Sequence, residues 1–477
     1  MHRPGNRIIP GLRSAVRTHH ATGPSAPVPL LDGATGGWHT AFAERLRGPL
    51  DPAALRAALD AVAARQDVLR YRIVQGAGIV DPPGPVPLHD DLADIATRHF
   101  DPAQRLWRAA LHRTGPDEHV LAFVGHRAVF DERTQALLYA ELAAAYDGHR
   151  LPPLPTGFAQ YVAWRTGRRG PADLLWWSTH LDGVPTRLDL PADATGTRPG
   201  PTGHADTVLD PATTAGIAGL ARSFGATPAA VLLAALGVVL ARLAGQADLL
   251  VGTPMVGPRS PAFEPLLGGL VDIAPLRLRP DPASTFANQV RQVRDELLEA
   301  LAHPTVGPVP ATQVLFEVVD AEAPALELPG VTAEPVPLPV PTPVDLSLRC
   351  VPQGHQLQLA AAYDADRYRP ERITALLAAF GNVLAEAVRS PGRPVTEFAL
   401  RPDDQPAPDR DQTVVDALGR RAAVGELGEI VARWAGGWLG TGRPGRYRPD
   451  GTVEPAGTVP PGQPDPASVR ALETGRR

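Results

Sequence analysis

The stretch His126-Arg127-Ala128-Val129-Phe130-Asp131-Glu132 gathers one imidazole, one guanidinium and two carboxylates within seven residues. An imidazole accepts a proton near neutral pH and suits general acid–base work. A guanidinium stays protonated and offers no lone pair, so Arg127 cannot be a base; it brings a fixed positive charge instead. Carboxylates beside it can pair with it, or hold a loop by charge-assisted hydrogen bonds. His126 carries two readings. It is either a proton acceptor or a structural ring that hydrogen-bonds backbone near the turn.

The surrounding pattern places this cluster at a junction. His119-Val120-Leu121-Ala122-Phe123-Val124 reads as a strand that runs straight into it. Thr134 to Tyr146 carries Leu137, Leu138, Leu142 and Tyr146 at helical spacing. The motif is therefore a turn between a strand and a helix. Upstream, Asp51 is a candidate N-cap with Pro52 at the first position of a helix over Ala53 to Arg65. Leu69 to Ile73 alternates like a strand. Further on, Thr227-Pro228 starts an apolar helix over Ala229 to Leu243, and Leu249 to Gly252 reads as a buried strand. Phe286 to Leu301 is an amphipathic helix, Leu346 to Val351 and Gln356 to Ala362 are a strand pair, and Arg369 to Val388 is a helix. Pro304 to Pro343 is proline-rich and poorly periodic, which predicts a long loop. Both halves mix strands and helices, so two α+β lobes are expected.

Composition removes several classes of chemistry. The chain has 477 residues and a net charge of -5, which gives no basic excess for nucleic acid or an anionic membrane. It contains no lysine, so its 46 basic residues are all arginine. Schiff-base chemistry and P-loop phosphate binding are thereby excluded. The single cysteine, Cys350, excludes a disulfide framework and is expected as a buried hydrophobe. The N-terminal residues lack an apolar signal segment, and the apolar run Ala229 to Ala241 is too short to span a bilayer. A cytoplasmic protein is expected.

Several segments resemble the condensation domains of nonribosomal peptide synthetases, in that family's own order. Arg65-Gln66-Asp67-Val68-Leu69-Arg70 resembles its Arg-His-Glu-x-Leu-Arg motif, with Gln66 in place of His. His126 to Glu132 resembles its HHxxxDG motif. Phe158 to Trp164, Trp176-Trp177 with Leu181-Asp182-Gly183, and Ala244 to Asp248 follow. Val251 to Met255 and Leu267 to Arg277 match next, with Asp272 where the family has Asn. Asp345 to Leu348 and Tyr363-Asp364 complete the series. The resemblance covers roughly residues 38 to 400. The family's N-terminal motif survives only as Trp38, and its late motifs leave a trace at Leu301 to Val306.

The resemblance implies two chloramphenicol-acetyltransferase-like lobes in a V, with the site at their junction. The expected organisation is an irregular segment 1–35, a first lobe 36–185 and a second lobe 186–402. A linker 403–424, an appended β-rich remnant 425–457 and a disordered tail 458–477 follow. In the family, the second histidine of the motif serves as base or positions the acceptor amine; here that residue is Arg127. Glu132 replaces the glycine that leaves the tunnel open, and is expected to narrow it and pair with Arg127. Asp131 matches the family aspartate and is expected to form a structural ion pair with Arg277. The His-Arg-x-x-x-Asp-acid form also resembles the X domain of glycopeptide synthetases. That domain has lost its chemistry and recruits haem monooxygenases to a carrier-bound peptide. No cofactor is implied beyond the phosphopantetheine of a partner carrier protein. Two functions stay open: a non-catalytic domain binding a peptidyl carrier protein or a tailoring enzyme, and an active acyltransferase with His126 as base.

The tail resembles a scrap of an adenylation domain at Gly425 to Ile430 and Thr441 to Gly451. Arg443 stands where that family's ribose-binding aspartate would be. Asp450-Gly451 is also a hairpin turn signal. Gly440 to Gly445 satisfies GxGxxG, but Pro444 and Pro449 deny it the following helix, so it is read as a chance match. His19-His20 has no neighbouring His or Cys with which to hold a metal.

Overall fold

The computed structural model describes residues 39–456 except 76, 132, 169, 195–200, 257–259, 305–311, 320–324, 339, 343, 402–411 and 435–436. Residues 1–35, Trp38, His19-His20, Glu132 and the tail 458–477 lie outside the described residues. The first lobe is built from β1 (His39–Arg47), α1 (Pro52–Arg65), β2 (Tyr71–Val74), β3 (Ala77–Val80), β4 (Leu88–His89), α2 (Leu92–Thr97), β5 (Trp107–Gly115), β6 (Glu118–His126), α3 (Thr134–Tyr146) and α4 (Phe158–Gly167). Helix α5 (Pro171–His180) leads out of it. The second lobe holds β7 (Thr202–Leu209), α6 (Pro211–Ser223), α7 (Pro228–Ala244), β8 (Leu249–Val256), β9 (Val271–Leu278) and α8 (Phe286–Ala302). It continues with β10 (Val314–Val318), β11 (Thr332–Pro335), β12 (Leu346–Gln353), β13 (Gln356–Asp364) and α9 (Pro370–Arg389). The appendage consists of β14 (Gln412–Val415), β15 (Gly428–Trp434), β16 (Gly437–Tyr447) and β17 (Val453–Pro455).

Local chemistry explains the long helices. Asp51 Oδ1 accepts from Ala53 and Ala54 N–H at 2.8 and 3.1 Å, and Pro52 begins α1. Thr227 caps α7 through Ala230 N–H at 3.2 Å. Gly245 stops α7 at φ 69°, a left-handed conformation that glycine adopts freely. Helix α7 is buried along nearly its whole length in the second-lobe core. No single described helix is long and apolar enough to cross a membrane.

The first sheet has the order β11-β1-β6-β5-β4 and the second β7-β13-β12-β10-β8-β9. On the first, Phe42, Leu46, Leu121 and Phe123 pack with α1 and α3 residues, while Ala43, Ala122 and Val124 form the opposite face with Ile95 of α2. Cys350 is buried on the second-lobe core side of β12, and burial pushes its thiol pKa up, as suits a packed hydrophobe.

Two expectations fail here. The stretch Pro304 to Pro343 is not one loop. It supplies β10, between β12 and β8 in the second sheet, and β11, which crosses to pair with β1 in the first. The apolar run Val314-Leu315-Phe316 is too short to show periodicity, and β11 (Thr-Ala-Glu-Pro) is held by backbone pairing that leaves no side-chain pattern. The linker 403–424 likewise contains β14, which opens the third sheet, β14-β15-β16-β17.

The third sheet has its own small core of Val414, Ala422, Ile430 and Tyr447. It is bound to the second lobe by the Arg242–Glu426 pair, by Arg420 on the carbonyls of Glu397 and Thr396, and by Arg446 on Asp189 O at 3.2 Å. Gly440 to Gly445 lies inside β16, so the GxGxxG match forms a strand and no phosphate loop. Asp450-Gly451 turns β16 into β17, with Thr452 N–H donating to Asp450 Oδ1 at 2.8 Å.

Glu44 lies on the helix-facing side of β1 and is 1% exposed. Burial raises its carboxyl above the usual 4.5, and the Tyr139 hydroxyl offsets part of the rise. A raised folded-state value means the neutral acid suits the fold. That contribution is complete below the unfolded value and is lost as pH rises through the folded one. Glu44→Gln should therefore gain stability relative to wild type between about pH 5 and about pH 8. Urea midpoints across that range measure it; a gap that stays constant or narrows contradicts the reading.

Candidate functional site

Strand β6 ends at His126, and the chain turns at once. Val129 and Phe130 N–H donate back to His126 O at 2.9 and 3.0 Å. The His126 ring is 4% exposed, and its Nδ1 accepts from Ala128 N–H at 3.1 Å. A nitrogen that accepts from a backbone N–H carries no proton, so in the neutral ring Nε2 carries it. The ring's lone pair is thus spent inside the turn. His39 faces His126 across β1 and β6, and both rings stand edge-on to Phe100 at 4.9 and 6.2 Å. Burial, helped by His126, Arg108 and His99, lowers the His39 pKa to about 4, so this second ring is neutral at physiological pH.

Arg127 occupies the turn itself, half-buried. Its carbonyl lies against Gly269 of the second lobe, where a Cβ would come within 2.3 Å of the oxygen. Only glycine allows this approach. The channel-narrowing role expected of Glu132, and its pairing with Arg127, fall on a residue outside the described set.

Asp131 is 5% exposed and serves two elements at once. Its Oδ1 accepts from Arg133 N–H at 3.0 Å, Thr134 N–H at 3.1 Å and the Thr134 hydroxyl at 3.1 Å, which holds the start of α3. Its Oδ2 accepts from Leu270 N–H of the second lobe at 2.9 Å. Burial pushes the carboxyl above its usual range, while the hydrogen bonds from Leu270, Thr134 and Arg133 pull the other way.

The expected Asp131–Arg277 ion pair is not formed. Arg277 instead grips Asp248, with Nε 2.9 Å from Oδ1, and donates through Nη1 to the carbonyls of His180 at 2.7 Å and Asp182 at 2.9 Å. The cause is reach. Asp131 meets the second lobe at Leu270, and Arg277 lies about 20 Å further along the extended strand β9. There it sits beside Leu250 of β8, next to Asp248.

Asp131 is one point in a row of contacts. Arg133 Nη2 donates to Glu264 O at 3.3 Å, and Gln66 Nε2 to Pro265 O at 2.9 Å. Leu267 N–H returns to Gln66 Oε1 at 3.1 Å, and Tyr161 Oη donates to Leu270 O at 3.4 Å. Arg165 pairs with Asp272. Leu266, Leu267 and Leu270 meanwhile belong to the first-lobe core. Residues 264–272 of the second lobe are thus fastened onto the first.

Sequence reasoning noted Gln66 and Asp272 only as departures from a family motif. Both make contacts between the lobes. The signal was the simultaneous presence of Arg165 and Asp272, two opposite charges at otherwise apolar positions. Among the described residues, no cluster of three His, Cys, Asp or Glu side chains could hold a metal ion.

Comparison with known proteins bears on this arrangement. A family model described as "Condensation domain" matches residues 96–407. CymA of Salinispora arenicola (strain CNS-205), a protein named as a nonribosomal peptide synthetase, is 32% identical over 438 residues, covering 79% of this chain. This chain spans only 6% of that protein's length. The solved X-domain from teicoplanin biosynthesis is similar at a TM-score of 0.69 and 26% identity, over 79% of this chain and 98% of that one. The complex of that X-domain with OxyB is similar at 0.69 and 27%, over 80% and 98%.

Asp131→Ala takes the acceptor from Arg133 N–H and one of two acceptors from Thr134 and Leu270 N–H, which also meet Asp131 O and Gly268 O, and is expected to cost about 2 to 3 kcal/mol in urea unfolding. Combined with Arg277→Met, the two losses should add to within about 0.5 kcal/mol, because the residues share no contact. A coupling energy well above that would restore the direct pair.

Proposed function

Because the chain belongs to the condensation-domain family, we propose that it serves a nonribosomal peptide pathway as a binding platform and does not form the peptide bond. The carrying observation is Arg127 in the turn after β6, where the family motif has its second histidine. Guanidinium cannot accept the proton that an attacking amine must lose. Its charge also disfavours an ammonium acceptor. His126 does not replace the missing base, since its Nδ1 lone pair is committed to Ala128 N–H.

The partner in this reading is a tailoring enzyme, a haem monooxygenase, acting on a peptide held by the phosphopantetheine arm of a carrier protein. Support comes from the two X-domain structures, one of them a complex with OxyB, and from the resemblance of His126 to Glu132 to the X-domain form of the motif. The third sheet is read as a remnant of an adenylation-type domain. Supporting this are the Gly425 to Ile430 and Thr441 to Gly451 segments, with Arg443 in place of the ribose-binding aspartate. The competing reading, acyl transfer with His126 as base, requires that ring to release Ala128.

The test supplies the chain with donor-loaded and acceptor-loaded carrier proteins and follows product by mass spectrometry. Wild type should give no amide or ester above the uncatalysed background, and His126→Ala should change nothing. Product at a multiple-turnover rate from wild type, abolished by His126→Ala, would overturn the proposal. Arg127→His combined with Glu132→Gly should recover measurable condensation if only the chemistry has been lost.

A further inference from the structure

Helix α5, which leads from the first lobe to the second, meets α8 through three stacked rings. The Trp176 indole lies between the imidazoles of His180 and His303, with ring centres 4.4 Å away on each side and interplanar angles of 10° and 14°. Each imidazole touches a carboxylate from the other helix. His180 Nε2 is 2.8 Å from Glu296 Oε1, and His303 Nδ1 is 3.1 Å from Asp173 Oδ1. Trp177, edge-on to Trp176, donates from Nε1 to His303 O at 2.9 Å and anchors the stack to the second-lobe core.

The rings are not simple packing. A neutral imidazole on an indole face gains only stacking. A protonated one places a cation over the most electron-rich aromatic surface in proteins and turns its carboxylate contact into an ion pair. Both rings have these two partners at once, and both are about one-quarter exposed, so protons can reach them.

Asp173 and Glu296 hold the outer ring nitrogens. Arg277 of β9 donates its N–H to Glu296 Oε1 at 2.9 Å, and its guanidinium faces Asp248 with Arg279 beside it. Asp182 lies two residues beyond His180, past the end of α5. Glu299, one turn before His303, is on the exposed surface of α8. Glu296, Asp182 and Asp248 lie about Arg277, with Arg279 against Asp248, while Asp173 stands at His303.

We propose that the His180–Trp176–His303 stack is a proton-operated clamp, which tightens α5 on the second lobe when the imidazoles are protonated and loosens it when they are neutral. It acts outside the motif turn and does not depend on whether the chain is catalytic. The test covers about pH 5 to 8, the range in which histidine side chains in general change charge.

Two measurements on the full chain test it. The first is tryptophan emission. Protonated imidazole in contact with indole quenches it, so wild-type emission should rise between pH 5 and pH 8, and the rise should be missing from Trp176→Phe. A rise of the same size in Trp176→Phe, or a flat wild type, overturns the proposal. The second is amide hydrogen exchange in α5, corrected for intrinsic rates. Protection should be roughly tenfold greater at the acid end. The His180→Gln, His303→Gln double variant keeps hydrogen-bonding groups at both places and should lose that pH dependence. Equal pH dependence in the double variant contradicts a clamp worked by these rings.

Discussion

A buried carboxylate cannot stand alone; it must be given donors or be neutralised. Asp131 is given four: the N–H groups of Arg133, Thr134 and Leu270, and the Thr134 hydroxyl. Three come from the start of α3 and one from the other lobe. The motif turn is thereby fixed between β6 and α3, and the second-lobe segment is fixed against the turn. Gln66, Tyr161 and the Arg165–Asp272 pair extend the same seam in both directions, and the apolar anchors Leu266, Leu267 and Leu270 fill the first-lobe core behind it.

This arrangement separates the frame from the chemistry. Asp131 works through oxygen lone pairs directed at backbone, and none of its partners is the side chain of residue 127. The Leu270 contact is made without the side chain of Arg127. The Arg127 carbonyl, by contrast, is tightly constrained by Gly269, whatever the side chain is. The geometry that brings the two lobes together is therefore independent of the side chain at 127. His126 is likewise tied to the frame. Its ring holds Ala128 and packs edge-on to Phe100, which is a structural task.

How far the sequence foretold this depends on the kind of signal. Helices with capping residues and apolar stripes were legible nearly to the residue; α1 with Asp51 and Pro52, and α3 after the motif, are examples. The strand-turn-helix setting of His126 and Asp131 followed from them. What could not be read was contact between distant segments. Asp131 and Arg277 are a plausible pair by charge, yet the extended path of β9 carries Arg277 to Asp248 and leaves a backbone N–H, invisible in sequence, as the partner. Strands β10, β11 and β14 were missed because short strands held by neighbours carry little pattern of their own. Gln66 and Asp272 looked like losses from a motif, and became contacts only when the second lobe was laid against the first. Trp176 and Trp177 stood in the sequence only as part of a family-like segment; Trp177 packs in the second-lobe core, while Trp176 stands between two histidines.

The Asp131–Leu270 hydrogen bond fastens the lobes without the side chain of residue 127. Native-state hydrogen exchange at the Leu270 amide, compared with Asp131→Ala because the same N–H also meets Gly268 O at 2.9 Å, measures it. Leu270 should exchange as slowly as the buried β6 amides, open only with global unfolding, and keep that protection in Arg127→His. Exchange at the rate of an open loop, or protection that changes with the side chain at 127, would contradict the account.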